Sequence, residues 1–389
     1  MSSIYLDHAA TTPVRPEILE AMMPFFNASW GNPSSAHGFG RAARAGVEQA
    51  KREVAEALGV EPNQVIFTSG GTEADNLAII GTALAARAHG KAMRAVTTAI
   101  EHKAVLAACH AVVELGGEET ILGVDRNGVV RMDELDAALA RGPSIVSVMW
   151  VNNEVGTVQP IVEIASRCRE AGVPFHSDAV QAFGKIPIDI TASGCTLVTI
   201  SGHKLNAPKG IGALIVRDRR IIESIIHGGG QQYGIRPGTE NVAGAVALGR
   251  AALLARKELE RNTAHERALR DRLEQRLAAA IPDIVVNASG AERAPHVLNV
   301  AIPGAESEAL IMHLDIAGVA CSGGSACSTG SIEPSHVLMA MGVEPSLAAG
   351  AIRFSLGHET TEAEIDEVAA LLPGIVSRVR QLHASLGRG

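Results

Sequence analysis

Aromatic side chains are the first shortage: two Trp, two Tyr and seven Phe among 389 residues. Beside 47% apolar residues and 40 glycines, that scarcity points to a core packed from Ala, Val, Ile and Leu, as in α/β enzymes. Cysteine is also sparse. Five cysteines without Cys-x-x-Cys spacing argue against a disulfide framework and predict reduced thiols in a cytoplasmic protein. No metal-ligand spacing stands out. Positive charge is not in excess either, and a net charge of −8 argues against binding nucleic acid or an anionic membrane. No apolar run approaches the ~20 residues of a membrane span. The stretch Met1-Ser2-Ser3-Ile4-Tyr5-Leu6-Asp7 lacks the basic segment and apolar core of a secretory signal.

The length exceeds the ~100–200 residues usual for one domain and predicts two. Strand-like and helix-like segments alternate from Val65 to Val216, the pattern of an α/β fold with a mainly parallel sheet covered on both faces. A mostly helical stretch then runs to Ala280, its charged face Arg256-Lys257-Glu258-Glu260-Arg261 read as simply solvated. Short strands and helices follow, and form a smaller α+β domain. The boundaries are placed at 16–255 for the large domain, with 1–15 and 256–389 in the small one.

Three strand ends carry chemistry. The apolar run Val198-Thr199-Ile200 leads into Ser201-Gly202-His203-Lys204. A lysine there can sit in a desolvated pocket and act as a nucleophile, although most single lysines are solvated surface residues. Val173-Pro174-Phe175-His176-Ser177-Asp178 delivers a carboxylate to the C-terminal end of a strand, where α/β sheets bind ligands. Thr68-Ser69-Gly70-Gly71-Thr72-Glu73-Ala74-Asp75 is strand, turn and helix start, with Thr72 read as N-cap and Asp75 as its capping-box partner. Free amides at such a start bind phosphate. A lysine, a carboxylate and a phosphate turn are the three groups that hold pyridoxal phosphate.

Two glycine-rich stretches remain. The loop from His227 to Thr239 is too rich in glycine for regular structure. Cys109, Cys168 and Cys195 lie in patterns that bury small apolar residues, and Cys321 ends a strand. Cys327 differs: the loop from Cys321 to Glu333 has little to bury it, so its thiol is expected to be exposed and free to swing.

Taken together, Ser201-Gly202-His203-Lys204, Thr68-Ser69-Gly70-Gly71-Thr72-Glu73 and the Cys327 loop continuing into Glu333-Pro334-Ser335-His336 resemble the cysteine desulfurases of the NifS/IscS type. These are fold-type I pyridoxal-phosphate enzymes of the class V aminotransferase group, with a seven-stranded sheet in the large domain. The resemblance extends from Tyr5-Leu6-Asp7 to Ile352-Arg353-Phe354-Ser355-Leu356-Gly357, departing at Gly324 and at Gln232-Tyr233. It implies that Lys204 bonds the cofactor aldehyde, Asp178 pairs with the pyridine nitrogen, Gln181 touches the ring hydroxyl and His102 stacks on the ring. Gly71, Thr72, Ser201 and His203 would hold the phosphate, joined by Thr239 from the second subunit of a homodimer. Asn153 and Arg353 would orient the carboxylate of L-cysteine, with Asn32 nearby. Cys327 would be the nucleophile that takes the sulfur as a persulfide, leaving L-alanine. A sulfur-acceptor or iron–sulfur scaffold protein is the implied partner, and Cys327 the residue that would meet a transient iron–sulfur cluster; no intrinsic metal is implied. A selenocysteine lyase, an ordinary aminotransferase or a non-enzymatic assembly scaffold would share much of this chain.

Overall fold

Successive side chains of a strand point to opposite faces, so a strand buried on both sides reads as an unbroken apolar run. The computed structural model, which describes residues 4–323 and 334–386, shows this in its main sheet. Val198 and Ile200 face one core while Leu197 faces the other, and Ala213 and Ile215 alternate with Leu214 and Val216 in the same way. Seven strands form that sheet, in the order Val65–Thr68, Gly212–Val216, Leu197–Ser201, Phe175–Asp178, Ile145–Ser147, Arg94–Thr98, Glu118–Leu122. Gly212–Val216 runs antiparallel to both neighbours, and all the other strands point one way. The mainly parallel sheet expected from the alternation is therefore present, and its C-terminal ends share one edge.

Glycine at 212 is required by a close approach. A Cβ there would lie 2.7 Å from the backbone carbon of Gly70 and 2.8 Å from the Ile200 oxygen. The reversed strand passes directly behind the turn that starts the helix Gly71–Ala88.

Apart from the cores on the two faces of the main sheet, a second-sheet core gathers around antiparallel strands in the order Ser322–Gly323, Ala351–Ser355, Val297–Ala301, Val285–Val286. The N-terminal strand Ile4–Tyr5 joins this part by pairing with Val319–Ala320. The helix Val242–Ala280 links a main-sheet core to the second-sheet core: Val242 to Ala252 pack in the former, and Leu269, Leu273 and Leu277 in the latter. The boundary placed between 255 and 256 thus falls inside one continuous helix of 39 residues. The charged face on it is not simply solvated. Glu258 pairs with Arg15 at 2.7 Å with 16% of its side chain exposed, and Arg256 donates to the carbonyls of Glu56 and Ala57 at the end of the helix Gly38–Leu58.

The glycine-rich loop is pinned, not loose. Gln232 and Tyr233 adopt left-handed backbone angles (φ 47° and 63°). The Gln232 amide oxygen accepts from the Phe67 N–H on the outer strand of the sheet at 3.1 Å. The Tyr233 ring lies between Lys51 and Arg219, 4.4 and 4.2 Å from its centroid. Two cations on one exposed ring contribute about 1 kcal/mol.

Candidate active site

Because all strands but one end at the same edge, the residues that follow them converge. Gly71 and Thr72 follow the first strand, His102 follows Arg94–Thr98, and Asn153 and Glu154 follow Ile145–Ser147. Asp178, Val180, Gln181, Ser201, His203 and Lys204 complete the ring. All of these line one cavity of about 390 Å³, which Arg353 and His336 close from the side of the second sheet. A larger open groove of about 750 Å³, along Arg217 to Ser224 and Tyr233, brings no such set together.

The stretch Leu6 to Pro13 runs into this cavity and fastens the lysine. Lys204 Nζ donates to the carbonyls of Ala9 (2.5 Å) and Ala10 (2.7 Å). Thr12 Oγ1 donates to the His203 carbonyl at 2.8 Å, and His203 Nδ1 lies 3.2 Å from Thr11 Oγ1. The lysine is thus half-buried in the cavity wall, with its amine held by carbonyl acceptors.

Asp178 is 7% exposed and accepts from the Val180 N–H at 2.9 Å. Burial pushes its carboxyl above the usual range, while His102, the Val180 amide and Lys204 pull it down. Asp75 lies next to it in charge terms. Burial, then the charge of Asp178, raise Asp75 well above an ordinary carboxylate, and its Oδ1 has no hydrogen-bond partner. Two buried carboxyls repel, which disfavours a charge on both, and the pull of His102 and Lys204 acts on Asp178.

The helix start corrects the capping expectation. The N-cap is Gly70, not Thr72, and Asp75 makes no cap because it points into the interior. Glu73 reaches back instead: its Oε2 accepts from the Ser69 N–H at 2.8 Å, and Arg236 of the glycine-rich loop clamps it at 2.7 and 3.2 Å. Burial alone would raise the Glu73 carboxyl, but Arg236 and Ser69 outweigh it and hold the group low. The helix therefore presents its first amides, Gly71 and Thr72, unobstructed beside Ser201 and His203. A Cβ at Gly71 would press on Val180 at 3.2 Å.

Asn32 does not line this cavity, and Thr239, expected to reach the phosphate from a second subunit, does not line the cavity of its own chain. Asn32 is exposed and accepts from the Ser34 N–H through Oδ1 at 2.9 Å. Thr239 is exposed at the end of the glycine-rich loop. Cys327 lies outside the described residues. Cys321 is half-buried against the second core with its thiol pushed up to about 12, mainly by burial, which leaves little thiolate.

His102 caps its helix, Nδ1 accepting from the Ala104 N–H at 3.1 Å, which fixes the ring at the cavity wall. Arg353 is 2% exposed. Its Nη2 pairs with Asp7 at 2.8 Å, its Nη1 donates to the Asn153 carbonyl at 2.8 Å, and its buried Nε has no partner.

Glu154 was missed by residue-type reasoning because it reads as one more polar residue after a strand. Its carboxyl is buried, accepts from the Ser335 hydroxyl, and is raised to about 7, mainly by burial. Ser335 caps the helix His336–Ala340, and His336 Nε2 donates to the Glu101 carbonyl at 3.0 Å. A raised pKa means the folded state favours the protonated acid. That stability is present in full below the ordinary value of about 4.5 and is lost as pH rises to about 7. Wild-type protein should therefore lose about 3 kcal/mol more than Glu154→Gln between about pH 5 and about pH 8, read from urea midpoints at the two values. Parallel pH curves for the two proteins would show that Glu154 is ionised in the fold.

The donor set fits pyridoxal phosphate: the Lys204 amine, the buried Asp178 carboxyl, an amide-lined helix start beside Ser201 and His203, and a cavity of matching scale. Comparisons with known proteins agree with this chemistry. The aminotransferase class-V family matches residues 4–368. A cysteine desulfurase of Trichormus azollae is 47% identical over 382 residues, covering 98% of this chain and 95% of that one. An IscS-like cysteine desulfurase of Mycobacterium tuberculosis is 46% identical over 382 residues, covering 97% of each. A solved NifS-like protein superposes with a TM-score of 0.90 at 35% identity, covering 96% of this chain and 99% of its own.

Proposed function

The chain belongs to the class-V aminotransferase family, and from that premise we propose that it is a cysteine desulfurase of the NifS/IscS type. The observation that carries this reading is the convergence of Lys204, Asp178 and the helix start at Gly71 on one cavity. Lys204 would hold the cofactor through its aldehyde, Asp178 would face the pyridine nitrogen, Gln181 the ring hydroxyl and His102 the ring itself. Gly71, Thr72, Ser201 and His203 would take the phosphate, with Thr239 supplied by the second copy of a homodimer. When bound, pyridoxal phosphate supplies an electron sink that makes the substrate α-hydrogen acidic and the Cβ–S bond breakable.

The rest is done by the chain. Lys204 Nζ, when free, would accept the α-proton, with the Ala9 and Ala10 carbonyls keeping it within reach. Cys327 attacks the substrate sulfur as thiolate, with His102 carrying the proton. A new S–S bond forms as Cβ–S breaks, and the electron pair of the broken bond stays on Cβ, which is then protonated. The transferred sulfur is oxidised as Cβ is reduced, so one L-cysteine gives one L-alanine and one Cys327 persulfide. A sulfur-acceptor protein is the natural consumer of that persulfide. The cores gathered around each sheet favour a division into a large unit, 16–255, and a small one, 1–15 with 256–389, with Ile100 and Met149 packed on Ala301 and Leu338 across it.

The purified chain supplied with pyridoxal phosphate, L-cysteine and a thiol reductant should release alanine and sulfide in equal amounts. Neither product above background would overturn the reading.

Arg353 is assigned to the substrate carboxylate, because both terminal nitrogens keep one hydrogen beyond their bonds to Asp7 and Asn153. Arg353→Lys should raise KM for cysteine about tenfold, since an ammonium cannot reproduce the two parallel hydrogen bonds. An unchanged KM would leave Arg353 as the structural partner of Asp7.

A further inference from the structure

The hydrogen positions around Gln181 follow from the geometry of its neighbours. The Ala9 carbonyl oxygen can only accept, and it already receives Lys204 Nζ; the Gln181 group 2.9 Å from it must therefore be the amide NH2. That places the Gln181 amide oxygen against His296 Nε2, at 3.2 Å. An amide oxygen donates nothing, so Nε2 carries the imidazole hydrogen. His296 is 0% exposed and its Nδ1 has no hydrogen-bond partner. The opposite tautomer would bury an unsatisfied N–H and turn two lone pairs toward each other, which is worse on both counts. Burial, with the charges of Lys185, His8, Arg353 and Lys204 behind it, keeps the ring neutral. Its main chain is fixed as well, since the His296 carbonyl accepts from the Leu356 N–H at 2.9 Å.

We propose that His296 is a positioning residue: its Nε2–H locks the Gln181 amide so that the second amide hydrogen is kept for the phenolic oxygen of pyridoxal phosphate. This rests on the cofactor reading above. With that N–H removed, the Gln181 oxygen loses its donor and the Ala9 carbonyl alone opposes a half-turn that would present the oxygen to the phenolic oxygen, where two acceptors repel. Gln181 follows the strand Phe175–Asp178 of the main sheet and His296 precedes the strand Val297–Ala301 of the second, so the lock also ties the second sheet to the cavity.

Two readouts test this independently of turnover. In full-length protein labelled with ¹⁵N-histidine, the His296 signals, identified by their loss in His296→Phe, should show the Nε2–H tautomer and no titration between about pH 5.5 and about pH 8.5. An Nδ1–H tautomer, or a titrating ring, overturns the proposal. The second readout is cofactor binding. His296→Phe fills the site without a donor and should weaken pyridoxal phosphate binding about tenfold in equilibrium dialysis, with a shifted visible band. His296→Gln returns an N–H at the same reach and should restore both. Wild-type affinity and spectrum in His296→Phe would overturn the lock. The stated tautomer in a wild-type chain that takes up no pyridoxal phosphate would support the lock and overturn the cofactor reading instead.

Discussion

Cys327→Ser should bind pyridoxal phosphate as wild type does and yet release alanine and sulfide at least ~10³-fold more slowly. The binding groups, Lys204, Asp178 and the helix start at Gly71, do not include the thiol. The serine hydroxyl neither ionises at neutral pH nor holds sulfur as a persulfide, so the step that breaks Cβ–S loses its nucleophile. Among the described cysteines, Cys109, Cys168 and Cys195 are fully buried with raised thiol pKa values, and Cys321 has its thiol pushed up to about 12. None of them is a ready substitute. Wild-type protein given cysteine without reductant should carry one extra sulfur on the peptide containing Cys327. Full sulfide release by Cys327→Ser, or an extra sulfur found only on Cys321, would mean another nucleophile does the work.

Lys204→Ala should abolish covalent retention of the cofactor and lower desulfuration by ~10⁴-fold or more, because one amine both holds the aldehyde and carries the α-proton. Borohydride treatment of wild type should fix a pyridoxyl group on a single tryptic peptide, the one containing Lys204. Two other lysines define the alternatives. Lys103 also lines the cavity, and Lys209 is exposed five residues further along the chain. Neither has the Ala9 and Ala10 carbonyls to aim it. An adduct on Lys103 or Lys209 in wild type, or a reducible adduct surviving in Lys204→Ala, would overturn the assignment.

What could be read without coordinates was whatever is encoded locally. The apolar runs before Lys204, Asp178 and Gly70 announce buried strands through their side-chain pattern alone. Because neighbouring parallel strands end on the same edge, residues at those ends must converge. The lysine, the carboxylate and the phosphate turn were therefore legible as one site. The long helix after Asn241 and the burial of Cys109, Cys168 and Cys195 were legible for the same reason, since period and residue type settle them.

Contacts between residues far apart in the chain were not legible. No local pattern says that the carbonyls of Ala9 and Ala10 will receive Lys204, that Glu73 will be claimed by Arg236 instead of Thr72 by Asp75, or that Glu258 will leave solvent for Arg15. Nor does it say that His296 will meet Gln181. Such pairs are selected by burial: a polar group removed from water must find a partner, and which partner lies within 3 Å depends on how the two sheets are brought together. The sequence by itself determined the strands, the helix starts and the chemistry at their ends. The tertiary structure decided which carbonyl, carboxylate or imidazole satisfies each buried group, because that choice depends on distances between segments separated by more than a hundred residues.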